Sequence, residues 1–144
     1  MTLTNQSTED NTILSPTILE SGLAFLKENK KRHGVEELSS GLQYEIIKQG
    51  SGVKPKIFHD VTCHYVGKLV DGTIFDSSIN RGQPATFPVN MVIRGWTEAL
   101  QMMPLGSKWR LYIPPHLAYG DRQVGSIISP NSTLIFEIEL LGIS

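Results

Sequence analysis

The sequence predicts an α+β domain in which an antiparallel β-sheet carries one short helix on its face, preceded by an N-terminal helix. Strand-like segments lie on both sides of a single short apolar helix candidate at residues 92–103. A helix this short cannot hold itself together in water, so it must pack against the flanking strands. The length of 144 residues suits about one domain.

The N-terminal part of the chain differs in character from the rest. Residues 1–12 are polar and are expected to be a disordered tail. A helix is predicted over residues 16–32, begun either by Ser15 with a proline at the first helical position or by a Thr17–Glu20 capping box. Its apolar face either docks on its own domain or contacts a partner or second copy, and it consists of Ile18, Leu19, Leu23, Phe25 and Leu26.

Residues 13–40 are thus predicted to hold this helix and a linker, and residues 41–144 the main domain. Alternation of apolar and polar residues between turn signals predicts the strands of that domain. The Asp71-Gly72 pair predicts a hairpin, residues 77–84 a polar loop, and residues 114–131 a long connection of the kind that often carries function. The predicted strands are 42–47, 60–68, 73–76, 85–89, 107–113 and 132–141.

The central helix candidate has one apolar face with recurrences of three and four, formed by Val92, Trp96, Ala99, Leu100 and Met103. Pro104 and Gly106 are expected to end this helix. Trp96 lies near its start, where a large ring is either a core side chain or the floor of a cavity. The helical pattern alone leaves both interpretations open.

Composition excludes several classes of protein. Hydrophobic residues make up 40% and charged residues 19% of the chain, as in an ordinary globular protein. A net charge of −1 gives no reason to expect nucleic acid or an anionic membrane as a partner. No apolar run is long enough to span a bilayer, so no membrane insertion is expected. The first residues do not resemble a signal peptide, which predicts a cytoplasmic location, or a periplasmic or surface location if the sequence is trimmed at its N-terminus.

Covalent and metal-dependent chemistry find little support in the sequence. Cys63 is the single cysteine and lies mid-strand among apolar residues, which favours a packed core thiol over a nucleophile. The four histidines, His64 included, lack the spacing of a metal site, and no Gly-rich phosphate loop is present. We therefore expect no metal and no cofactor.

Aromatic and branched residues from different predicted elements remain to be explained. If they converge, they form an apolar pocket with hydroxyl groups and one carboxylate, Asp76, at its edge. A pocket of that character is typical of a small-ligand site. The candidate lining residues are Tyr65, Phe75, Val92, Ile93, Trp96, Tyr119 and Phe136.

Five motifs in order over residues 41–144 give the sequence a recognisable pattern. They are His64-Tyr65-Val66-Gly67, Asp71 to Ser78, Val92-Ile93-Arg94-Gly95-Trp96, Leu117-Ala118-Tyr119-Gly120 and Leu134 to Leu141. With these motifs the sequence resembles the FKBP class of peptidyl-prolyl cis-trans isomerases. Residues 40–44 and 95–104 are similar to the bacterial macrophage infectivity potentiator (Mip-like) subgroup. We expect this sequence to lack the upstream dimerisation segment typical of that subgroup.

This resemblance implies a twisted antiparallel sheet wrapped around the short helix, and it implies roles for individual residues. Trp96 would be the floor beneath a substrate proline ring, and Asp76 the polar group at the edge. The Ile93 backbone N–H and the Tyr119 hydroxyl would hold ligand carbonyls. The implied catalytic residues are Tyr65, Asp76, Trp96 and Tyr119. The implied substrate-binding residues are Phe75, Arg81, Val92, Ile93, Phe136 and, on the loop over the opening, Ile127 and Ile128.

The implied activity is acceleration of X-Pro bond rotation in peptides and folding proteins, by non-covalent binding of a twisted proline amide. The implied partners are proline-containing peptides, unfolded protein clients and the macrolide inhibitors rapamycin and tacrolimus. A chaperone or binding module that uses the same pocket without relevant turnover is the alternative. The single N-terminal helix predicts a monomer or a weak dimer.

Overall fold

A computed structural model describes residues 16–144 of the chain. The predicted disordered tail at residues 1–12 lies outside the described residues. The helices are α1 (Ile18–Asn29), α2 (Ser78–Arg81) and α3 (Arg94–Leu100). The strands are β1 (Val35–Glu37), β2 (Gln43–Lys48), β3 (Asp60–Leu69), β4 (Ile74–Ser77), β5 (Ala85–Pro88), β6 (Lys108–Ile113) and β7 (Leu134–Ile143). Single 3-10 turns occur at Val89–Met91 and Pro115–Leu117.

The seven strands form one sheet, and every pairing between them is antiparallel. Their spatial order is β1-β2-β6-β7-β3-β4, and β5 pairs with the other part of β3. The short helix α3 buries Trp96, Ala99 and Leu100 in a core shared with residues of β3, β6 and β7. The α+β prediction with one short central helix is confirmed.

The predicted alternation along β3 is also present. Val61, Cys63 and Tyr65 are buried, whereas the residues between them are partly exposed. Because successive side chains of a strand point to opposite faces, these three residues contribute to the core on one side of the sheet. Burial raises the pKa of the Cys63 thiol to about 12. Cys63 is therefore a packed core residue, as its position predicted.

Two segments that were expected to be irregular contain short secondary-structure elements, the strand β1 and the helix α2. The predicted linker contains β1, which pairs with β2 through Val35–Glu45 and Glu37–Gln43. A segment of three residues, two of them glutamates, is too short and too polar to show a recognisable strand pattern. The strand is therefore evident only from its pairing with β2. The predicted polar loop at residues 77–84 contains α2, which Ser77 caps by accepting a hydrogen bond from the Asn80 N–H.

The N-terminal helix begins at the second of the two predicted caps. Thr17 Oγ1 accepts from the Glu20 N–H at 3.0 Å, and Glu20 Oε1 accepts from the Thr17 N–H at 2.9 Å, which completes a capping box. The helix ends at Asn29, before the predicted end at residue 32. None of the helices in the described part of the chain is long and apolar enough to cross a membrane.

Helix α1 docks on the sheet with only part of its predicted apolar face. Leu26 is buried against Tyr112 and Ile135. Asn29 Nδ2 donates to Gln43 Oε1 at 2.8 Å, and Gln43 Nε2 donates to the Leu26 carbonyl at 2.9 Å, both in buried surroundings. Phe25 is half-buried against the same cluster, whereas the other large apolar residues of the face are 40–51% exposed, namely Ile18, Leu19 and Leu23.

Candidate active site

An open cavity of about 490 Å³ lies where α3, β3, β4, β5 and β7 meet the connection after β6. Most of the predicted site residues line it together. These are Tyr65, Phe75, Asp76, Val92, Ile93, Trp96, Tyr119 and Phe136. Residues that lie far apart in the sequence therefore converge into one aromatic cavity, as the sequence predicted.

Trp96 forms the base of the cavity. Its side chain is 4% exposed and meets the rings of Tyr65, Phe87 and Phe136 edge-on, at centroid distances of 5.3–5.4 Å. Edge-to-face contacts are a preferred arrangement of aromatic rings, so the four rings hold one another in place. Helix α3 can approach β6 this closely because residue 95 is glycine: a Cβ there would lie 2.7 Å from Ile113 Cγ2.

A β-bulge between β3 and β4 directs two consecutive side chains into the cavity. Lys68 pairs with Ile74 and Gly67 pairs with Asp76, so Phe75 has no pairing partner on β3. A bulge turns side chains away from strict alternation, which allows both Phe75 and Asp76 to line the cavity. Gly67 leaves room for the wall, because a Cβ would lie 2.7 Å from both Phe75 and Phe136.

Asp76 is held in a network with Tyr65 and Arg81. The Tyr65 hydroxyl donates to Asp76 Oδ2 at 2.6 Å, Arg81 Nη1 donates to Asp76 Oδ1, and Arg81 Nη2 donates to the Tyr65 hydroxyl at 3.0 Å. Partial burial opposes ionisation of Asp76, but these hydrogen bonds and the Arg81 charge outweigh it and hold its pKa below the usual value. Burial and the hydrogen bond to Asp76 raise the pKa of Tyr65.

The short helix α2 makes this network possible. It turns the chain directly after β4, so that Arg81 at its last position reaches back to Asp76. The buried Ser78 at its start accepts from the Tyr65 backbone N–H at 2.7 Å, and its Oγ lies 2.9 Å from His64 Nδ1. His64 thus contacts Ser78 and does not line the cavity. Arg81, which the resemblance implied as a substrate-binding residue, contacts Asp76 and Tyr65 and does not itself line the cavity.

Two further polar groups of the cavity come from its other side. The Ile93 carbonyl accepts from the Trp96 and Thr97 N–H groups, whereas the Ile93 N–H has no acceptor within the described residues. Tyr119 is held in the long connection by its neighbour, since the Gly120 N–H donates to the Pro115 carbonyl and the Gly120 carbonyl accepts from Asn131. The cavity thus offers an N–H and a phenol hydroxyl beside a largely aromatic and aliphatic lining.

The structure does not place Ile127 and Ile128 at the cavity, where the resemblance implied they would lie. Ile128 is 5% exposed and belongs to the core, and Ile127 lines a separate groove beside α1. The reason is a backbone bridge: Val124 and Ile128 exchange two N–H to carbonyl hydrogen bonds, at 2.9 and 3.2 Å. This bridge folds the segment back on itself and directs the two isoleucines to different surroundings.

Sequence reasoning missed five lining residues, namely Phe87, Met91, Arg94, Ala118 and Arg122. Strand alternation could have identified Phe87. It lies two positions after Ala85 in a predicted strand, so the two side chains point to the same inward face. Met91 and Arg94 flank the Val92-Ile93 pair that was recognised. No sequence pattern marks Arg122.

Two family models match the chain. One, described as FKBP-type peptidyl-prolyl cis-trans isomerase, matches residues 52–141, and the other, described as the domain amino terminal to it, matches residues 3–46. The FKBP-type 22 kDa peptidyl-prolyl cis-trans isomerase of Escherichia coli is 57% identical over 122 residues, which are 85% of this chain and 59% of that protein. The outer membrane protein MIP of Legionella longbeachae is 55% identical, over 85% of this chain and 52% of that protein.

Solved structures agree with these similarities. The crystal structure of FkpA from Escherichia coli has a TM-score of 0.85 at 42% identity and covers 88% of this chain and 59% of its own. A peptidyl-prolyl cis-trans isomerase from Pseudomonas syringae has a TM-score of 0.83 at 44% identity, over 91% of this chain and 98% of its own. The chain spans little more than half the length of the two curated relatives. It belongs to the family of FKBP-type peptidyl-prolyl cis-trans isomerases.

Proposed function

We propose that this chain catalyses cis-trans isomerisation of X-Pro bonds in peptides and in unfolded proteins. The observation that carries the proposal is the aromatic cavity with Trp96 at its base and the charge-compensated carboxylate of Asp76 at its edge. The proline ring would rest on Trp96, between the rings of Phe87 and Phe136. The Ile93 N–H and the Tyr119 hydroxyl would hold substrate carbonyls.

This lining suits a reaction that breaks no covalent bond. Rotation about an X-Pro amide is slow because it disrupts resonance, at a barrier of about 20 kcal/mol. The planar amide carries more charge separation than the twisted amide, so an apolar cavity destabilises the planar form relative to the twisted one. Shape complementarity to the twisted proline adds differential binding. A millionfold acceleration needs only about 8 kcal/mol of such preference.

The described site offers no nucleophile for a covalent route. The Cys63 thiol is fully buried in β3 and does not line the cavity. We assign Asp76 the role of orienting the Tyr65 hydroxyl and of placing a fixed negative charge at the edge of the cavity. Since no proton has to move during rotation, neither residue needs to act as an acid or base.

A second candidate is a chaperone or binding module that holds chains without turning them over. The observation that favours it is the row of half-exposed apolar residues on α1, namely Ile18, Leu19 and Leu23. Such a surface could hold unfolded clients for the cavity. It could also mediate weak dimerisation, and we propose a monomer or weak dimer, which sedimentation over a range of protein concentrations would test.

Rapamycin and tacrolimus are proposed as ligands of the same cavity, on the basis of its aromatic lining and of the family to which the chain belongs. Calorimetry with the wild-type chain and the Trp96→Leu variant would test this.

The cytoplasmic location expected from the sequence finds no support in the comparisons, since one relative is named an outer membrane protein. We therefore favour the periplasmic or surface alternative, which fractionation of the source cells would test.

The test of function is NMR exchange spectroscopy on a Leu-Pro peptide with a substoichiometric amount of the chain. An isomerase produces exchange cross-peaks between the cis and trans resonances on a timescale where the free peptide shows none. A binding module shifts or broadens the peptide resonances without exchange between the two isomers. The second result would reject the proposed activity.

A further inference from the structure

The rim of the aromatic cavity carries two arginines, Arg94 and Arg122, both exposed. Arg94 opens α3 and directly follows Ile93. Arg122 lies one turn after Tyr119, with its N–H donating to the Tyr119 carbonyl at 3.2 Å. Arg94 and Arg122 therefore both line the cavity, and each lies close in the chain to one of the two residues that we assign to substrate carbonyls.

Within residues 16–144, no carboxylate lies close enough to either arginine to form a salt bridge. Arg94 donates only a long hydrogen bond of 3.4 Å, to the uncharged His116 carbonyl. Glu98, in the neighbouring groove, instead accepts from the Ser40 hydroxyl at 2.6 Å. Asp121 adjoins Arg122 in the sequence but does not line the cavity.

Among residues 16–144, Asp76 is the one acidic residue that lines the cavity, and it does not compensate the charges of the two arginines. Asp76 is already paired with Arg81, and this pair also engages the Tyr65 hydroxyl. The rim is thus positive, although the chain as a whole has a net charge of −1. A guanidinium binds a carboxylate through two parallel hydrogen bonds and cannot lose its charge near neutral pH.

We propose that Arg94 and Arg122 select X-Pro segments that carry an acidic residue beside the X-Pro pair. This inference rests on the proposed isomerase function and names a substrate class for it. The X and proline side chains occupy the apolar cavity, and the chain leaves it past the Ile93 N–H and the Tyr119 hydroxyl. A flanking Asp or Glu then lies within reach of a guanidinium, whereas a flanking Lys or Arg is repelled.

Exposed ion pairs are weak, so the expected selectivity is modest. An acidic flanking residue should raise kcat/KM about two- to fivefold over a neutral one, and a basic residue should lower it by a similar factor. Raising the salt concentration to 1 M reduces the screening length to about 3 Å. The kcat/KM values of acidic and basic peptides should then become nearly equal.

The test uses peptides with a constant Leu-Pro pair and Glu, Gln or Lys at the positions before and after it. NMR exchange gives kcat/KM for each peptide. For the wild type, we expect kcat/KM of the Glu peptide to exceed that of the Lys peptide on at least one side of the pair. This ratio should fall in Arg94→Gln and Arg122→Gln. On the same side of the pair, it should drop below one in Arg122→Glu or Arg94→Glu. Lys54→Gln is the matched control: it removes one charge from an exposed residue outside the cavity and should leave the ratio unchanged.

The outcomes separate this inference from the proposed function. Turnover of the Gln peptides with equal rates for the Glu and Lys peptides would overturn the selectivity and leave the isomerase proposal intact. Absence of turnover on every peptide would reject the isomerase proposal itself. Thermal unfolding of each variant checks that a changed Glu-to-Lys ratio is not caused by misfolding. Because the readout is a ratio of two kcat/KM values, a uniform loss of active protein does not change it.

Discussion

The Tyr65 hydroxyl donates a hydrogen bond of 2.6 Å to Asp76 Oδ2, and the ring of the same tyrosine lies edge-on to Trp96 at 5.3 Å. One side chain therefore joins the charged edge of the cavity to its aromatic floor. Arg81 completes the arrangement by bonding both Asp76 and the tyrosine hydroxyl. The position of the floor and the charge at the edge are coupled through these contacts.

Asp76→Asn should lower kcat/KM without abolishing it, by about three- to tenfold, the rate equivalent of one hydrogen bond. The wild-type rate should be nearly independent of pH between 6 and 8. The pKa of Asp76 lies below its usual value and that of Tyr65 above, so neither group titrates in this range. A steep pH dependence that disappears in Asp76→Asn would show that a proton moves in the reaction.

Glu45 should contribute to acid denaturation. Partial burial opposes its ionisation, but hydrogen bonds from Tyr112 and Arg32 and the charges of Arg32 and Arg110 hold its pKa below the usual value. A carboxyl group whose pKa is lower in the folded state stabilises the fold above its unfolded-state pKa, near 4.3, and this stabilisation is lost as the pH falls through the folded-state pKa. In urea denaturation, the free energy of unfolding should therefore fall less between pH 7 and pH 3 in Glu45→Gln than in the wild type. Equal pH effects in the two proteins would contradict this role.

Gly67→Ala should disturb the wall of the cavity. Its new methyl group would lie 2.7 Å from ring atoms of Phe75 and Phe136, which must move apart. We expect a loss of about 1–3 kcal/mol in unfolding free energy and a clear fall in kcat/KM. Gly142→Ala is the matched control on β7, because its Cβ would meet Thr62 at an ordinary 3.5 Å. If the two variants had the same activity, Gly67 would not shape the cavity.

Asn29→Ala should separate stability from activity. It removes a buried donor to Gln43 Oε1, with an expected cost of about 1–3 kcal/mol in chemical denaturation. Glu28→Ala on the same helix removes only an exposed contact with Lys31 and should cost less than about 0.5 kcal/mol. Both variants should turn over a short peptide at the wild-type rate, since neither residue lines the cavity. A folded Asn29→Ala chain with impaired turnover would link α1 to the cavity.

The parts of the site that sequence reasoning found are those marked by local patterns. Alternation placed Tyr65 on the buried face of β3, and helical spacing placed Trp96 on the inner face of α3. The resemblance then indicated which other aromatic residues accompany them. These signals depend on a residue and its near neighbours, so they can be read from one sequence.

The features that escaped prediction depend on pairing between distant segments. The bulge that directs both Phe75 and Asp76 inward exists only in the register of β4 against β3. The role of Gly67 follows from two rings that approach it from other strands. The placement of Ile127 and Ile128 away from the cavity lining follows from the backbone bridge in the long connection, and this bridge leaves no sequence signal.

The role of Trp96 as the base of the substrate cavity is tested by kcat/KM of Trp96→Leu on a Leu-Pro peptide, measured by NMR exchange beside the wild type. Leucine keeps apolar volume and removes the buried indole N–H, which has no hydrogen-bond partner within the described residues, so the variant should still unfold cooperatively. The substitution should lower kcat/KM by about tenfold or more, which corresponds to about 1.4 kcal/mol of transition-state stabilisation. A folded Trp96→Leu chain with the wild-type kcat/KM would contradict this role.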